Sequence, residues 1–456
     1  MMFITLPQTS QTLLMKTLYL LRHAKSCWKD THLTDHQRPL NKRGKRQIQW
    51  LGESPFVAVL ENVRLFCSDA VRAHETLQGL MQHAQIHAGV VVDPKLYTFA
   101  PLELVHWLKA RPESSDVLIV GHNPALIGLI DYLAPDQIEG FPTAAWIELR
   151  LNISRWSQLT PFCGDVARYV TPVMLNHDAF LRKHEGSKQS DNSLEQWLMM
   201  LELYRQPAML GQDPEFLHQF RIYARKLKGA LSLHQMLANA EAQNQQVARE
   251  HLKRLIALSN PVRDLDVFDD YLEGCKSRLG NEFLGGLLSL QSMVADERQG
   301  HYRALTRFLD SQDYSHGHQV LVACLTNMSA PIKVGGELRQ HHLREVVVRR
   351  HKKLKKRLGQ LNSDCDDAAF HHVRLQLKNL INSQDLGNTL KPTTMKKLVQ
   401  LKKQLGGLQD ACVQQQHLLQ YAVAAPGDDA LLHVVEVLLH NIRGQKEQLK
   451  ARICNA

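Results

Sequence analysis

Leu18-Tyr19-Leu20-Leu21-Arg22-His23-Ala24-Lys25-Ser26 decides the fold of the first third of this chain. An apolar run stops abruptly at an arginine and a histidine. The run is too short to cross a membrane and has the make-up of a buried strand in a parallel sheet. Residues just past the C-terminal ends of such strands face the crevice where ligands bind in open α/β sheets. Arg22 and His23 therefore stand where chemistry is usually done.

Working outward, five strand-like runs fall at 17–21, 63–67, 90–92, 117–120 and 145–151, the first being the opening run itself. Amphipathic stretches near 45–60, 70–83, 101–109 and 125–133 lie between them. Strands alternating with helices predict an α/β domain over residues 15–175, a sheet flanked by helices. Residues 176–193 read as a linker, its polar part being His184 to Ser193. From 194 to 456 the alternation vanishes. Long patterns rich in Leu, Gln, Lys, Arg and His predict an all-α domain.

That second domain contains an internal echo. His218-Gln-Phe-Arg221-Ile-Tyr-Ala-Arg225-Lys226-Leu227 matches His371-His-Val-Arg374-Leu-Gln-Leu-Lys378-Asn379-Leu380. Downstream, Pro261-Val-Arg-Asp264 matches Gly407-Leu-Gln-Asp410. Two matches in the same order predict a duplicated helical unit, two bundles rather than a solenoid. Asp264 and Asp410 fall in turn-like segments, which predicts N-cap or Asx-turn roles and no chemistry.

Composition bounds the function. The chain has 456 residues, too many for one ordinary domain, and 44% hydrophobic residues, an ordinary globular share. Its eight cysteines are scattered without a CxxC pair, which argues against structural zinc and a disulfide framework and suits a reducing cytoplasm. No apolar run reaches the roughly 18 residues of a membrane span. The first residues lack a signal-peptide pattern. Met15-Lys16 reads as an alternative start, with 1–14 as an extension. The formal net charge of +10 is uneven: residues 1–175 carry +2 and the remainder +8. A basic second domain predicts an anionic partner.

In the first domain, polar groups gather at strand ends. Arg22-His23 follows the first strand. Cys67-Ser68-Asp69-Ala70-Val71-Arg72 follows the second, with Ser68 read as the helix N-cap and Arg72 in the first turn. His122 follows the strand at 117–120, in Gly121-His122-Asn123-Pro124. Arginines suit bidentate recognition of phosphate oxygens. A neutral imidazole is a competent nucleophile toward phosphorus. No carboxylate cluster suggests a metal, and no cofactor motif is present. Lys42, Arg43, Lys45 and Arg46 read as a solvated helix face.

Taken in order, LYLLRHAKS, RPLNKRG, CSDAVRAHET and VLIVGHNP resemble the histidine phosphatase superfamily, in its short SixA-like branch of phosphohistidine phosphatases. The resemblance covers residues 15–175. It implies that His23 is the nucleophile, that Arg22 and Arg72 clamp the phosphoryl oxygens, and that His122 donates to the same group. Larger members use a carboxylate acid, and no residue here is assigned that role. Asp30, Asp35 and Glu53 are candidates by location only. A P–N bond needs less acid help than a phosphate ester, so this gap favours a phosphohistidine substrate.

In the second domain His218, Arg221, Arg225 and Lys228 form one helical stripe, and His371, Arg374 and Lys378 repeat its start. Arg339 to Arg357 holds nine Lys/Arg against one Glu, with Leu343, Val347, Leu354, Leu358 and Leu361 on the other face. Collected cations repel one another, and an extended polyanion would relieve them. Few aromatics accompany them, which disfavours nucleic acid. These motifs resemble the CHAD domain, named for conserved histidines in an α-helical fold, over residues 190–456. The resemblance implies two pseudo-symmetric four-helix bundles and a cleft for inorganic polyphosphate. His218, Arg221, Arg225, Lys226, His371, Arg374 and Lys378 would line it, with Lys228, Arg344, Arg349, Arg350, Lys353 and Lys356 as further candidates. Asn379 and Asn382 depart from the basic pattern of the family.

The expected protein is thus a cytoplasmic phosphatase joined to a polyphosphate-binding module. Three functions stay open. It could act on phosphohistidine proteins, such as a phosphotransfer domain, while located at polyphosphate granules. It could trim the polyphosphate chain itself. It could be a non-catalytic polyphosphate-binding scaffold.

Overall fold

The computed structural model describes residues 15–28, 32–112, 114–134, 138, 140–184, 194–238, 243–329, 336–387 and 390–455. Residues 1–14, Asp30 and the polar stretch 185–193 lie outside the described residues, as do the side chains of 336–343 and of Asn382. The chain divides into two compact units, with the break near residue 187.

The first unit is a six-stranded sheet with the order β3-β2-β4-β1-β5-β6. Its strands are β1 Lys16–Arg22, β2 Arg64–Cys67, β3 Val90–Val92, β4 Val117–Gly121, β5 Trp146–Leu151 and β6 Gly164–Val170. The first four run parallel; β5 pairs antiparallel with β1, and β6 antiparallel with β5. β1 and β4 sit in the middle, which is why their sequences are nearly all apolar. Leu18, Leu20, Leu21, Val117, Leu118, Ile119 and Val120 have no exposure at all. Helices α1 Lys42–Gly52, α2 Val71–Ala84, α3 Pro101–Lys109 and α4 Ala125–Leu133 cover the sheet. A short helix, α5 His177–Lys183, falls in the stretch read as linker.

Two details set the loop after β1. Asn41 caps α1 by accepting from the Gly44 N–H at 2.9 Å and donates its amide to Ser26 O at 3.0 Å. Gly44 itself lies against the backbone of Lys25, where a Cβ would come within 2.3 Å of the carbonyl oxygen. The RPLNKRG stretch therefore fastens the segment that follows His23. The amphipathic pattern read as one helix over 45–60 breaks at Gly52, and residues 55–62 form a 3-10 segment begun by Pro55.

The second unit is helical: α6 Leu194–Leu210, α7 Pro214–Ala238, α8 Gln243–Lys276, α9 Leu284–Leu309, α10 Gln312–Ser329, α11 Gly336–Leu358, α12 Asp367–Gly387, α13 Pro392–Ala424 and α14 Asp429–Cys454. The duplication is visible in this order. α7, α8 and α9 correspond to α12, α13 and α14, and α7 packs on α12 as α9 packs on α14. One bundle is α6, α7 and α10 around the first half of α8. The other is α11, α12 and the C-terminal half of α14 around the first half of α13, with Val347, Phe370, Leu377, Leu405 and Ile453 at its core. The two long helices then run on into a shared core. There Leu265, Phe268 and Leu272 of α8 meet Leu418 and Tyr421 of α13, with Leu290 of α9 and Leu438 of α14. The repeats are therefore joined by a common centre, and α10 has no counterpart in the second.

The turn-like reading around Pro261 and Gly407 is corrected: both segments are interior to α8 and α13. A proline inside a helix costs about 3 kcal/mol. Burial of Leu265, Phe268 and Leu272 beyond it returns about 1.5–3 kcal/mol each, so the helix continues. Ser259 Oγ donates to Ile256 O at 3.1 Å in the turn that the proline disturbs. Asp264 and Asp410 consequently cap nothing.

Candidate functional site

His23 follows β1 directly and is buried. Its Nδ1 lies 2.8 Å from Ala24 O. A carbonyl only accepts, so Nδ1 carries the proton and Nε2 the lone pair. Burial lowers the ring to about 4; the Ala24 hydrogen bond opposes this, and the nearby Arg72 and Arg22 guanidiniums add to it. The ring is neutral at physiological pH. Arg22 donates from Nη1 to Phe141 O at 2.8 Å, and its buried Nε has no protein partner among the described residues.

Arg72 is buried in the first turn of α2. Its Nη2 donates to Asp35 Oδ2 at 2.8 Å and to His122 Nδ1 at 3.2 Å, and its Nη1 donates to the Asp35 carbonyl. A guanidinium has no lone pair to offer, so His122 Nδ1 accepts. The His122 proton is therefore on Nε2, which donates to Ser68 Oγ at 2.9 Å. Burial first, then His23 and Arg72, lower His122 to about 3. The two imidazoles lie 5.0 Å apart, centre to centre.

Arg22, His23, Arg72 and His122 thus come together at the C-terminal ends of β1 and β4 and the start of α2, as the sequence led us to expect. Two roles differ. The N-cap of α2 is Ala70, and Ser68 instead holds His122. Both nitrogens of His122 are engaged, one by Arg72 and one by Ser68, so the ring fixes the second guanidinium and offers no spare donor.

Sequence reasoning placed Asp35 only by loop position. The structure makes it the anchor of the site's mouth. Its carboxylate also accepts from Tyr97 Oη at 2.9 Å and Arg38 Nη1 at 3.1 Å. Burial raises its pKa, but Tyr97, Arg72 and Arg38 outweigh this and hold it below the ordinary value. Asp35 is a fixed carboxylate, unsuited to donating a proton. Glu53 sits past α1, bonded to Gln49, away from this cluster. Tyr97 and Phe99, from the loop after β3, stand 5.1 and 6.0 Å from the His122 ring.

In the second unit a cleft of about 580 Å³ opens between α7, α8, α11, α12 and α13. Arg225, Lys228, Arg350, His371, Arg374 and Lys378 line it together with Asp264 and Asp410. Arg221 stands behind, buried, its Nη2 donating to Asn260 Oδ1 at 2.6 Å while Arg225 donates to the same oxygen at 3.1 Å. His371 Nδ1 is hydrogen-bonded to Gln409. Burial and neighbouring cations lower Arg221 and Arg225 and push Lys378 down to about 7, while burial lowers Arg374 against the pull of Asp410 and Asp264. Burial, with Asp264 adding to it, raises Asp410 against the pull of Arg374.

Other candidates lie elsewhere. His218 sits at the edge of this cluster, near Arg263 and Arg221. Lys226 packs over the Trp197 and Tyr223 rings, at 5.1 and 5.6 Å. Arg344, Arg349, Lys353 and Lys356 are exposed on α11 and do not line the cleft, because Val347 and Leu354 turn the other face to the core. The helical stripe read from spacing therefore splits between wall, floor and outer surface.

The CHAD domain family matches residues 191–419, half of the chain. The chain belongs to the CHAD family. Ahead of its CHAD domain it carries a histidine phosphatase superfamily domain of branch 1, matched over residues 18–97, which hold Arg22, His23 and Arg72. Among curated relatives, an uncharacterized protein of Mycobacterium tuberculosis is 29% identical over 163 residues, 33% of this chain and 99% of that protein. An uncharacterized chloroplastic protein of Arabidopsis thaliana is 31% identical over 135 residues, 26% of this chain and 59% of its own. Of solved structures, the protein histidine phosphatase SixA complexed with tungstate is 21% identical, with TM-score 0.30, over 35% of this chain and 99% of that one. The CHAD domain from the plant Ricinus communis is 25% identical, with TM-score 0.47, over 58% of this chain and 89% of that one. No described helix is long and apolar enough to cross a membrane.

Proposed function

We propose that the first unit is a phosphohistidine phosphatase working through a phosphorylated His23, and that the CHAD domain binds inorganic polyphosphate. The observation that carries the first part is the tautomer of His23. A neutral ring with its proton on Nδ1 presents the Nε2 lone pair, and two guanidiniums share its surroundings. Nε2 attacks phosphorus, Arg22 and Arg72 stabilise the equatorial oxygens, and water then releases phosphate from His23. Among the described residues no carboxylate is placed to act as an acid, which suits a substrate whose imidazole leaves easily.

The cleft supports the second part. It gathers cations from both repeats, and no Phe, Tyr or Trp is among its lining residues, which fits a polyanion without bases. The phosphorylated partner would be a phosphohistidine-containing protein such as a phosphotransfer domain, and polyphosphate would localise the enzyme at granules or regulate it.

The test is to incubate the protein and its His23→Ala variant with a phosphohistidine protein and, separately, with polyphosphate. His23-dependent loss of phosphate from the protein substrate alone supports this reading. Chain shortening that disappears in the variant means that the polymer is the substrate. Turnover of neither, with polyphosphate still bound, leaves a scaffold.

A further inference from the structure

The first unit has a carboxylate at its mouth that the phosphoryl chemistry does not use. Asp35 is bonded to Arg72, Tyr97 and Arg38, yet its side chain remains 46% exposed. A carboxylate has about four acceptor positions, and three are taken here. The remaining one opens toward solvent. Flat groups surround it: Tyr97 stands edge-on to His36 at 4.8 Å and to Phe99 at 5.5 Å, and Phe99 is 47% exposed. An exposed anionic acceptor with aromatic rings beside it suits a small flat ring that carries an N–H.

Resting on the phosphohistidine reading above, we propose that Asp35 recognises the leaving imidazole by accepting a hydrogen bond from its distal ring nitrogen. A phosphorylated imidazole is labile when that distal nitrogen is protonated. The proton comes from solvent, and a carboxylate facing the nitrogen favours its uptake. His23 Nε2 then forms a bond to phosphorus while the P–N bond of the substrate breaks. The electron pair of that bond returns to the substrate nitrogen. The distal nitrogen keeps its proton, so the substrate imidazole departs neutral. Asp35 stays ionised throughout and transfers nothing. A site built this way assists the leaving group without a general acid. An aryl or alkyl phosphate has no N–H to present and gains nothing from Asp35.

The experiment compares wild type with Asp35→Asn on two probes, phosphoimidazole and p-nitrophenyl phosphate, and measures inhibition by inorganic phosphate. Asn keeps the shape and can still accept, but lacks the charge. Losing one charge-assisted hydrogen bond should lower kcat/KM on phosphoimidazole by about ten- to hundredfold more than on p-nitrophenyl phosphate. The inhibition constant of inorganic phosphate reports whether Arg72 is still held. An equal loss on both probes, with weaker phosphate inhibition, overturns the proposal and leaves Asp35 as a support for Arg72 alone. No loss on either also overturns it. Wild type that hydrolyses p-nitrophenyl phosphate but not phosphoimidazole removes the phosphohistidine reading itself, before any variant is made.

Discussion

Lowering the pH from 8 to 5 should destabilise the first unit through His23. In the unfolded chain its imidazole takes a proton near the ordinary value of 6.5, whereas burial in the folded unit delays this to about 4. The folded-state pKa is depressed, so the stability it represents is complete above 6.5. It is lost progressively as pH falls toward 4, because only the unfolded chain binds the proton in that window. At pH 5 the loss from His23 alone is about 2 kcal/mol. His122, lowered to about 3, acts with the same sign over a wider window. Its ring is close enough to His23 that the two effects will not add simply. Tryptophan emission during urea unfolding is a suitable assay, since five of the six tryptophans (28, 50, 107, 146 and 156) lie in this unit. His23→Gln cannot titrate. Its stability should fall between pH 8 and pH 5 by about 2 kcal/mol less than that of wild type. The same fall in both proteins, or a ring titration of His23 centred near 6.5, would refute the reasoning.

Arg72→Ala should lower kcat about 10²- to 10³-fold on any phosphoryl substrate while leaving the circular dichroism spectrum unchanged. Arg221→Glu together with Arg374→Glu should abolish polyphosphate binding at low salt; binding equal to wild type in a filter assay discards the cleft. Lys378, pushed down to about 7, should make polyphosphate bind more tightly at pH 6 than at pH 8, as the amine gains its charge. Lys378→Arg should flatten that dependence in calorimetry, and an unchanged slope assigns it to other groups.

What could be read from the sequence follows from how local each signal is. β1 and β4 are central and apolar on both faces, so their runs announce themselves. β6 was missed because Gly164-Asp-Val-Ala-Arg-Tyr-Val170 is an edge strand with one face open and a glycine at its start. Arg22, His23, Arg72 and His122 were legible because each stands at a strand or helix end. Asp35 was not: it is 37 residues from Arg72, and only the folded loop brings the carboxylate onto the guanidinium. Ser68 was taken for an N-cap by its position, but that position also faces His122, and the imidazole takes its oxygen. Asp264 was misread because Pro261 mimics a turn, when packing beyond the proline carries the helix through. The charge count of α11 was legible too, but not which cations face inward; the buried Val347 and Leu354 decide that, and among the described side chains of α11 they admit only Arg350 to the cleft.

The two sites solve one electrostatic problem differently. Each gathers buried cations close together, an arrangement that stability alone does not favour. In the first unit the remedy is neutrality: His23 and His122 stay uncharged, and Asp35 offsets Arg72 from the solvent side. The lone pair of His23 is thereby kept available, because a protonated ring beside two guanidiniums could not attack phosphorus. In the CHAD cleft the remedy is mixed charge. Asp264 and Asp410 stand among the arginines, and Lys378 gives up part of its proton occupancy near neutrality. A polyanion entering that cleft would draw the proton back to Lys378 and compete with the two carboxylates for Arg225 and Arg374. Its affinity would therefore rise as pH falls, and would rise further in an Asp410→Asn variant. Tighter binding by that variant, with less dependence on pH, is what such a mixed-charge cleft requires. Weaker binding would mean that Asp410 serves chiefly to hold Arg374 in place.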